Sequence, residues 1–184
     1  MDGTYLEIYH GAAPMLLSNS IRVVTMEIRI ATITARTSRK QASADQLFAG
    51  YAERIAHFCR CEPETHLTED KFFSSLDRPS GRTGTSAAAR TRPLLVLLDS
   101  RGRQHSSEQF AEWLRRQRDQ GIQRLVFAIG PADGWSQPAR TRAGLLLSLG
   151  PMTLPHELAA VVLAEQIYRA FTIIEGHPYH LGHS

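Results

Sequence analysis

The fold of this chain is decided by the stretch Ser148-Leu149-Gly150-Pro151-Met152-Thr153-Leu154-Pro155-His156, after which no glycine or proline occurs until Gly176. The pattern is typical of a strand end, a tight loop and the start of a long helix. The first amides of such a helix have no intrahelical partners, so the main chain alone can hold a small polar ligand there. The alternative is that Thr153 merely caps the helix and Pro155 occupies its first turn.

Upstream of this stretch, the chain repeats apolar runs of strand length. Residues 28–33 alternate or cluster as in a short buried strand, 94–98 and 125–129 are continuous runs, and 145–149 makes a further one. Continuous runs are typical of parallel strands that are covered on both faces. Because helical segments separate these runs, the sequence predicts a single α/β domain with a mainly parallel sheet.

Two of the predicted helices begin with the spacing of a capping box. Ser43-Ala44-Asp45-Gln46 opens a helix whose apolar side chains keep the helical period: Leu47, Tyr51, Ile55 and Phe58. Ser106-Ser107-Glu108-Gln109 opens a second helix, which Gly121 is predicted to stop. The segment 63–93 between them is the least ordered by composition, and 79–92 is either a flexible loop or a short, poorly capped helix.

Three loops follow the predicted strands at 98–102, 129–134 and 150–155. Since open α/β sheets bind ligands beyond the carboxyl ends of their strands, we expect the three loops to share one site. No strand is followed by the Gly-x-Gly-x-x-Gly of a dinucleotide fold or by a Walker phosphate loop. These absences favour a ligand that is held without a pyrophosphate.

Length, hydropathy and cysteine content limit the class of protein. At 184 residues and 42% hydrophobic composition, the chain has enough apolar material for one domain with a substantial core. It has no apolar run of the ~18 residues that span a bilayer, so we expect a cytoplasmic protein without a membrane partner. Cys59 and Cys61 alone predict neither a disulfide framework nor a zinc site.

The net charge is only +3, but the arginines are clustered. The first cluster begins with Arg78, Arg82, Arg90 and Arg92, between which there is no acidic residue. Arg101 and Arg103 follow them. Such clusters suit phosphate backbones, so these residues are candidate nucleic-acid contacts. A later group at 115–118 lies on a predicted helix and is interpreted as its solvated face.

The carboxyl-terminal tail carries a group of polar and aromatic side chains, His177-Pro178-Tyr179-His180. Together with Leu154-Pro155-His156 and Ala164-Glu165-Gln166-Ile167-Tyr168-Arg169-Ala170, it resembles the signature of the RlmH family, bacterial methyltransferases of the SPOUT class that modify N3 of a pseudouridine in large-subunit rRNA. The resemblance runs from about residue 26 to residue 180. Residues 1–25 precede it, and we predict that they are either a variable, disordered extension or the product of an upstream start codon.

The resemblance implies a SPOUT domain at 26–184 that binds S-adenosyl-L-methionine at a carboxyl-terminal trefoil knot. The implied function is methylation of N3 of a pseudouridine in 23S rRNA within the assembled ribosome, by a homodimer. The residues that match cofactor positions of the family are Leu98, Gly130, Pro131, Gly150, Pro151, Met152, Thr153, Leu154 and Pro155. The residues implied on the RNA side are Arg169, Tyr179 and His180 for catalysis, and Arg169 and His177 for RNA binding.

Two positions depart from the family pattern. Pro131 stands where a glycine is expected and has no amide to offer, and Leu181 stands where a basic residue is common. They motivate the alternative that the chain is a non-catalytic RNA- or ribosome-binding module that kept the fold. A third option is methylation of another RNA base. Arg169 is also open to two interpretations, an RNA anchor or a simple surface partner of Glu165.

Two further expectations concern subunits and metals. The helix that begins at His156 offers apolar residues on more of its circumference than one sheet face can cover, which predicts a dimer. The His-x-x-His of the tail has no carboxylate fixed nearby, so no metal site is predicted.

Overall fold

The structure, a computed structural model, describes residues 26–34, 42–78 and 92–178. Strands and helices alternate strictly along these residues. The elements are β1 (Glu27–Ile33), α1 (Ala42–Ala56), β2 (Arg60–His66), α2 (Glu69–Asp77), β3 (Leu94–Gln104), α3 (Ser107–Asp119), β4 (Arg124–Ile129), α4 (Gln137–Arg142), β5 (Leu145–Ser148) and α5 (His156–Ile174).

The five strands form one sheet in the order β2-β1-β4-β3-β5, and all neighbouring strands are parallel. One face of the sheet is covered by α1, α3 and α5, and the other face by α2 and α4. Each of the four strand-to-strand connections runs along the sheet in the direction opposite to the previous one, and its helix covers the opposite face. Because direction and face reverse together, all four connections have the same hand, as expected for parallel strands. The predicted single α/β domain with a parallel sheet is confirmed.

The strand side chains alternate between two cores. Leu125 and Phe127 of β4 pack into the cluster of α1, α3 and α5, whereas Val126 and Ala128 pack into the cluster of α2 and α4. All four side chains are fully buried. Burial on both faces is the reason that this strand is a continuous apolar run in the sequence.

The segment that follows β1 and α1 is more ordered than its composition predicts. β2 is an edge strand, where Pro63 has a neighbouring strand on one side only and is therefore tolerated. α2 follows with Thr68 as its N-cap and Phe72 fully buried. The prediction of low order is thus wrong for residues 63–77, because the polar alternation of an edge strand is similar to that of a loop. Residues 79–91 lie outside the described part of the chain.

The two predicted capping boxes have different outcomes. The box at Ser106 is confirmed, because its hydroxyl accepts from the Gln109 amide at 3.2 Å and the Gln109 side chain accepts from the Ser106 amide at 3.0 Å. The box at Ser43 is wrong, because α1 already begins at Ala42 and Ser43 lies inside its first turn. Leu47 of that helix is 58% exposed and does not belong to the core.

The long helix α5 ends in a Schellman motif, in which Gly176 has a φ of +66° and the His177 amide donates to the Thr172 carbonyl at 2.8 Å. The helix packs against α1, α3 and the sheet, and Leu163 and Ile167 of its apolar stripe are fully buried. Because the chain itself covers most of this circumference, the apolar stripe gives little support for a dimer. The homodimer stays a prediction.

The strand β3 continues past the turn predicted at 99–102. Leu147 of β5 pairs with Leu98 and again with Arg103, so the residues between them bulge out of the ladder. Gly102 lies so close to β5 that a Cβ there would be 2.6 Å from the carbonyl carbon of Leu146. A side chain at this position would collide with backbone, which explains the glycine. The trefoil knot implied by the resemblance stays a prediction.

Candidate active site

A cavity of about 780 Å³ lies beside the bulge of β3 and the carboxyl ends of β4 and β5. The three loops predicted to share a site line it together, through residues 98–101, 129–135, 147–150 and 152–156. Every residue matched to a cofactor position lines this cavity except Pro151, which is exposed. The structure therefore brings eight of the nine residues matched to cofactor positions to one place.

The loop after β5 is fixed by hydrogen bonds within itself. The buried Ser148 hydroxyl donates to the Gly150 carbonyl at 3.0 Å and accepts from the Gly150 amide at 3.2 Å. Gly150 has a φ of +138°, a conformation that L side chains rarely adopt. Since the Gly150 amide is bonded to Ser148 and Pro151 has no amide, this turn does not supply the amide donors expected from the sequence.

The first turn of α5 offers amide donors to the site. Pro155 is the N-cap of this helix, and no side chain among the described residues caps it. The first backbone bond of the helix joins the Ala159 amide to the Pro155 carbonyl at 2.9 Å, so the amides of 156–158 precede the intrahelical ladder. Thr153 is exposed and does not cap, so the interpretation of an ordinarily capped helix start is wrong. The positive end of the helix dipole faces the cavity.

Trp135, which sequence analysis missed, forms the floor between two of the loops. Its indole Nε1 donates to the Leu98 carbonyl at 2.9 Å, and the residue is 3% exposed. A Cβ at Gly130 would be 2.7 Å from the indole Cε2 atom, so the glycine is needed for this packing. The Pro131 carbonyl accepts from the Gly134 amide at 2.9 Å, which closes a turn that needs no amide at Pro131. The glycine-to-proline departure is compatible with the loop.

Asp99 and Arg140 form an ion pair in the wall of the cavity. Arg140 Nε donates to Asp99 Oδ2 at 2.7 Å, and the Arg101 amide donates to Asp99 Oδ1 at 2.9 Å. The Asp99 side chain is 5% exposed and that of Arg140 is 20% exposed. Burial acts to raise the pKa of Asp99, but the hydrogen bonds from Arg140 and from the Arg101 amide, with the charges of both guanidiniums, outweigh it and lower the pKa.

The described residues among the predicted RNA-side group lie toward the opposite end of α5. Arg169 donates to Glu165 Oε1 from Nε at 2.9 Å and from Nη2 at 2.6 Å, as the spacing of the two residues predicts. The helical rise puts Arg169 about 20 Å from His156 along α5, and it does not line the cavity. His177 is exposed beyond the end of the helix, and Tyr179 and His180 lie outside the described residues. One chain alone does not bring Arg169 or His177 to the cavity.

The clustered arginines have different environments. Arg101 is 68% exposed at the rim of the cavity, with its Nε atom 3.6 Å from Asp99. Arg115 pairs with Glu112 at 2.9 Å, as expected for the solvated helix face at 115–118. Of the described arginines of the first cluster, Arg101 lines the cavity, whereas Arg78, Arg92 and Arg103 do not. Two further members of the predicted cluster lie outside the described residues, Arg82 and Arg90.

Residues 26–34, 42–78 and 92–178 include two free thiols, those of Cys59 and Cys61. No group of three or more His, Cys, Asp or Glu side chains is arranged there to hold a metal ion. Burial raises the pKa of Cys59 to about 12 and that of Cys61 to about 11, so both are neutral thiols at neutral pH. In the same part of the chain, none of the helices is long and apolar enough to cross a bilayer.

Comparisons with known proteins agree with this geometry. The family model described as "Predicted SPOUT methyltransferase" matches residues 26–180. The chain is 45% identical to the ribosomal RNA large subunit methyltransferase H of Koribacter versatilis over 144 residues, which cover 78% of this chain and 92% of the relative. It is 55% identical to the protein of the same name from Xanthobacter autotrophicus over 86 residues, which cover 47% of this chain and 54% of that relative.

A solved structure shows the same fold at low sequence identity. A probable methylase family protein from Haemophilus influenzae Rd KW20 superposes with a TM-score of 0.53 at 14% identity, covering 85% of this chain and 69% of that one. This likeness concerns the fold alone, whereas the family model and the Koribacter relative extend over most of the sequence. The chain therefore belongs to the SPOUT methyltransferase family and, within it, to the RlmH family.

Proposed function

We propose that this protein is an S-adenosyl-L-methionine-dependent methyltransferase that acts on N3 of a pseudouridine in the 23S rRNA of the assembled ribosome. The observation that carries the proposal is the cavity in which three loops meet the open start of α5. The names of the curated relatives, which are large-subunit rRNA methyltransferases, support the choice of substrate. With ribosomes as substrate, the protein acts in the cytoplasm, through a domain that begins at residue 26.

The residues of the cavity fit S-adenosyl-L-methionine. A volume of about 780 Å³ suits a ligand of this size. Leu98, Ile129 and Leu154 offer apolar surface to an adenine ring, while the first amides of α5 and the guanidinium of Arg140 offer donors to polar groups. When bound, this cofactor supplies a methyl group on a positively charged sulfur, which is the electrophile of the reaction.

Methyl transfer to a ring nitrogen is an in-line displacement, so the protein contributes mainly by positioning the reactants and excluding water. Ser148 fixes the turn at Gly150 on the cofactor side. The acceptor N3 must also lose its proton, and the proposed groups beside that proton are Tyr179 and His180 of the tail. Arg169 is the proposed anchor of the RNA.

This division of roles leads us to propose a homodimer with a shared active site. Arg169 and His177 are remote from the cavity of their own chain. Met152 and Leu158, beside the cavity, are large apolar side chains with exposures of 79% and 45%. A second copy that packs on this surface can bring the carboxyl end of its own α5 to the cavity. One active site then combines the loops of one subunit with the tail of the other.

Two measurements test the proposed function. Calorimetric titration with S-adenosyl-L-methionine should show one bound cofactor per subunit. Ribosomes incubated with the protein and tritiated cofactor should incorporate methyl groups at a pseudouridine of 23S rRNA, and naked 23S rRNA should be a poor substrate. Ribosome binding without cofactor binding would instead favour the non-catalytic module. Incorporation at a different nucleoside would favour methylation of another base.

A further inference from the structure

The side chain of Arg140 extends from α4 to Asp99 in β3, where one nitrogen of its guanidinium is bonded within the described part of the chain. Its Nε donates to Asp99 Oδ2 at 2.7 Å. Asp99 Oδ1 is taken by the Arg101 amide at 2.9 Å, so both carboxylate oxygens are engaged. Asp99 therefore fixes the orientation of the guanidinium plane and leaves the two Nη groups able to donate to another acceptor.

Neither Nη group of Arg140 has a hydrogen-bond acceptor among residues 26–34, 42–78 and 92–178. The side chain is 20% exposed and lines the cavity. A Cβ built on Gly134 would be 3.6 Å from Arg140 Nη2, which puts this nitrogen beside the loop that closes the cavity. The two Nη groups are therefore donors that line the cavity and are available to an acceptor on a bound ligand.

The chemistry of the donor pair selects the part of the ligand that it binds. A planar guanidinium presents two parallel N–H groups that match the two oxygens of a carboxylate. The adenine and the ribose carry neutral acceptors, and the methionine end carries the single carboxylate of the cofactor. We infer that Arg140, held in place by Asp99, binds the methionine carboxylate of S-adenosyl-L-methionine and determines the affinity for ligands that carry this group. The inference rests on the proposed function.

An RNA phosphate is the alternative ligand for the guanidinium of Arg140. Arg101 at the rim is 68% exposed, whereas the Arg140 side chain is 20% exposed and is paired inside the wall. A phosphate on a bulky nucleic-acid backbone reaches exposed side chains first. The burial of Arg140 thus favours a small ligand that enters the cavity.

Two ligands that differ in the amino-acid end test the inference by calorimetry. S-adenosylhomocysteine has the carboxylate, and 5′-methylthioadenosine lacks the whole amino-acid end but keeps the nucleoside. The unmodified protein should prefer S-adenosylhomocysteine. Arg140→Gln should lower the affinity for S-adenosylhomocysteine about tenfold to a hundredfold, the scale of a charged hydrogen bond. It should change the affinity for 5′-methylthioadenosine by less than about threefold. Arg140→Lys, which keeps the charge but not the paired donors, should give an intermediate loss.

Arg142→Gln is the matched control, because Arg142 lies on the same helix, pairs with Asp77 at 2.6 Å and does not line the cavity. It should leave the preference between the two ligands unchanged. Three results would overturn the inference. The unmodified protein could bind both ligands equally well, or Arg140→Gln and Arg140→Lys could lose the same affinity for both. Alternatively, the Arg140 variants could keep the preference for S-adenosylhomocysteine and bind ribosomes more weakly. Failure of the unmodified protein to bind either ligand would contradict the proposed function itself.

Discussion

The two ends of α5 offer different chemical groups to a ligand. At its amino end the helix presents backbone amides beside loops of fixed shape, held by strands that are buried on both faces. At its carboxyl end it presents polar side chains, Arg169 on the helix surface and His177 beyond the Schellman motif. Backbone geometry depends on the whole sheet, whereas the chemistry of a polar side chain depends mainly on its own identity. Cofactor binding and RNA-directed chemistry should therefore fail independently when each end is altered.

The largest effect is expected from removal of residues 179–184. Truncation should leave the affinity for S-adenosyl-L-methionine nearly unchanged, because it leaves the three loops intact. Methyl transfer to ribosomes should fall by at least about a hundredfold, the scale of lost general acid–base catalysis. Calorimetry and tritium incorporation measure the two properties side by side. A fully active truncated protein would exclude Tyr179 and His180 from the mechanism.

The substitution Gly150→Val should have the opposite effect, a loss of cofactor affinity without a loss of ribosome binding. Strain at a residue with a φ of +138° costs about 1–3 kcal/mol, so the variant should bind S-adenosyl-L-methionine about tenfold or more weakly. Ribosome binding should be unaffected. Gly50→Ala in α1 is the control, because an added Cβ there meets nothing within 4 Å. Normal cofactor affinity in Gly150→Val would mean that the turn does not hold the cofactor.

A smaller effect is expected from Arg169→Ala. Loss of one phosphate contact should reduce transfer to ribosomes by about tenfold at moderate salt and lower the slope of affinity against salt by about one. Cofactor affinity should not change. Arg115→Ala removes a surface arginine that pairs with Glu112 and serves as the control. Identical salt slopes for Arg169→Ala and the unmodified protein would leave Arg169 as only a surface partner of Glu165.

The smallest effect concerns the stability of the cavity wall. The pKa of Asp99 is lowered in the folded protein, so its ionised form stabilises the fold above the ordinary pKa, and this stabilisation is lost as pH falls through the lowered pKa. Asp99→Asn should cost about 2 kcal/mol at neutral pH and progressively less in acid. Denaturant unfolding at pH 7 and at pH 3 measures the difference. An equal cost at both values would show that the charge of Asp99 contributes nothing.

Sequence patterns predicted the features that depend on burial and on local chemistry. β4 was predicted because a strand covered on both faces must be apolar throughout. The Ser106 box was predicted because its two hydrogen bonds lie within one turn. The shared position of the three loops followed from the parallel sheet, whose strands all end at the same edge.

The features that were not predicted depend on which elements become neighbours. Trp135 bonds to Leu98 and Arg140 bonds to Asp99 only because the segment after β4 lies beside the bulge of β3, and the sheet order leaves no local mark in the sequence. α4 is a single short helix without a periodic pattern. The start of α5 was ambiguous because a proline suits both the N-cap and the first turn, and the choice depends on tertiary contacts.

Mixed dimers test most directly whether the loops of one chain act with the tail of another. Gly150→Val and the chain without residues 179–184 can be co-expressed with different tags, and the heterodimer purified through both tags. Each variant alone should transfer few methyl groups. The heterodimer contains one site with intact loops and an intact tail, so we predict about half of the activity of the unmodified dimer. A heterodimer as inactive as its parents would contradict a site shared between two subunits.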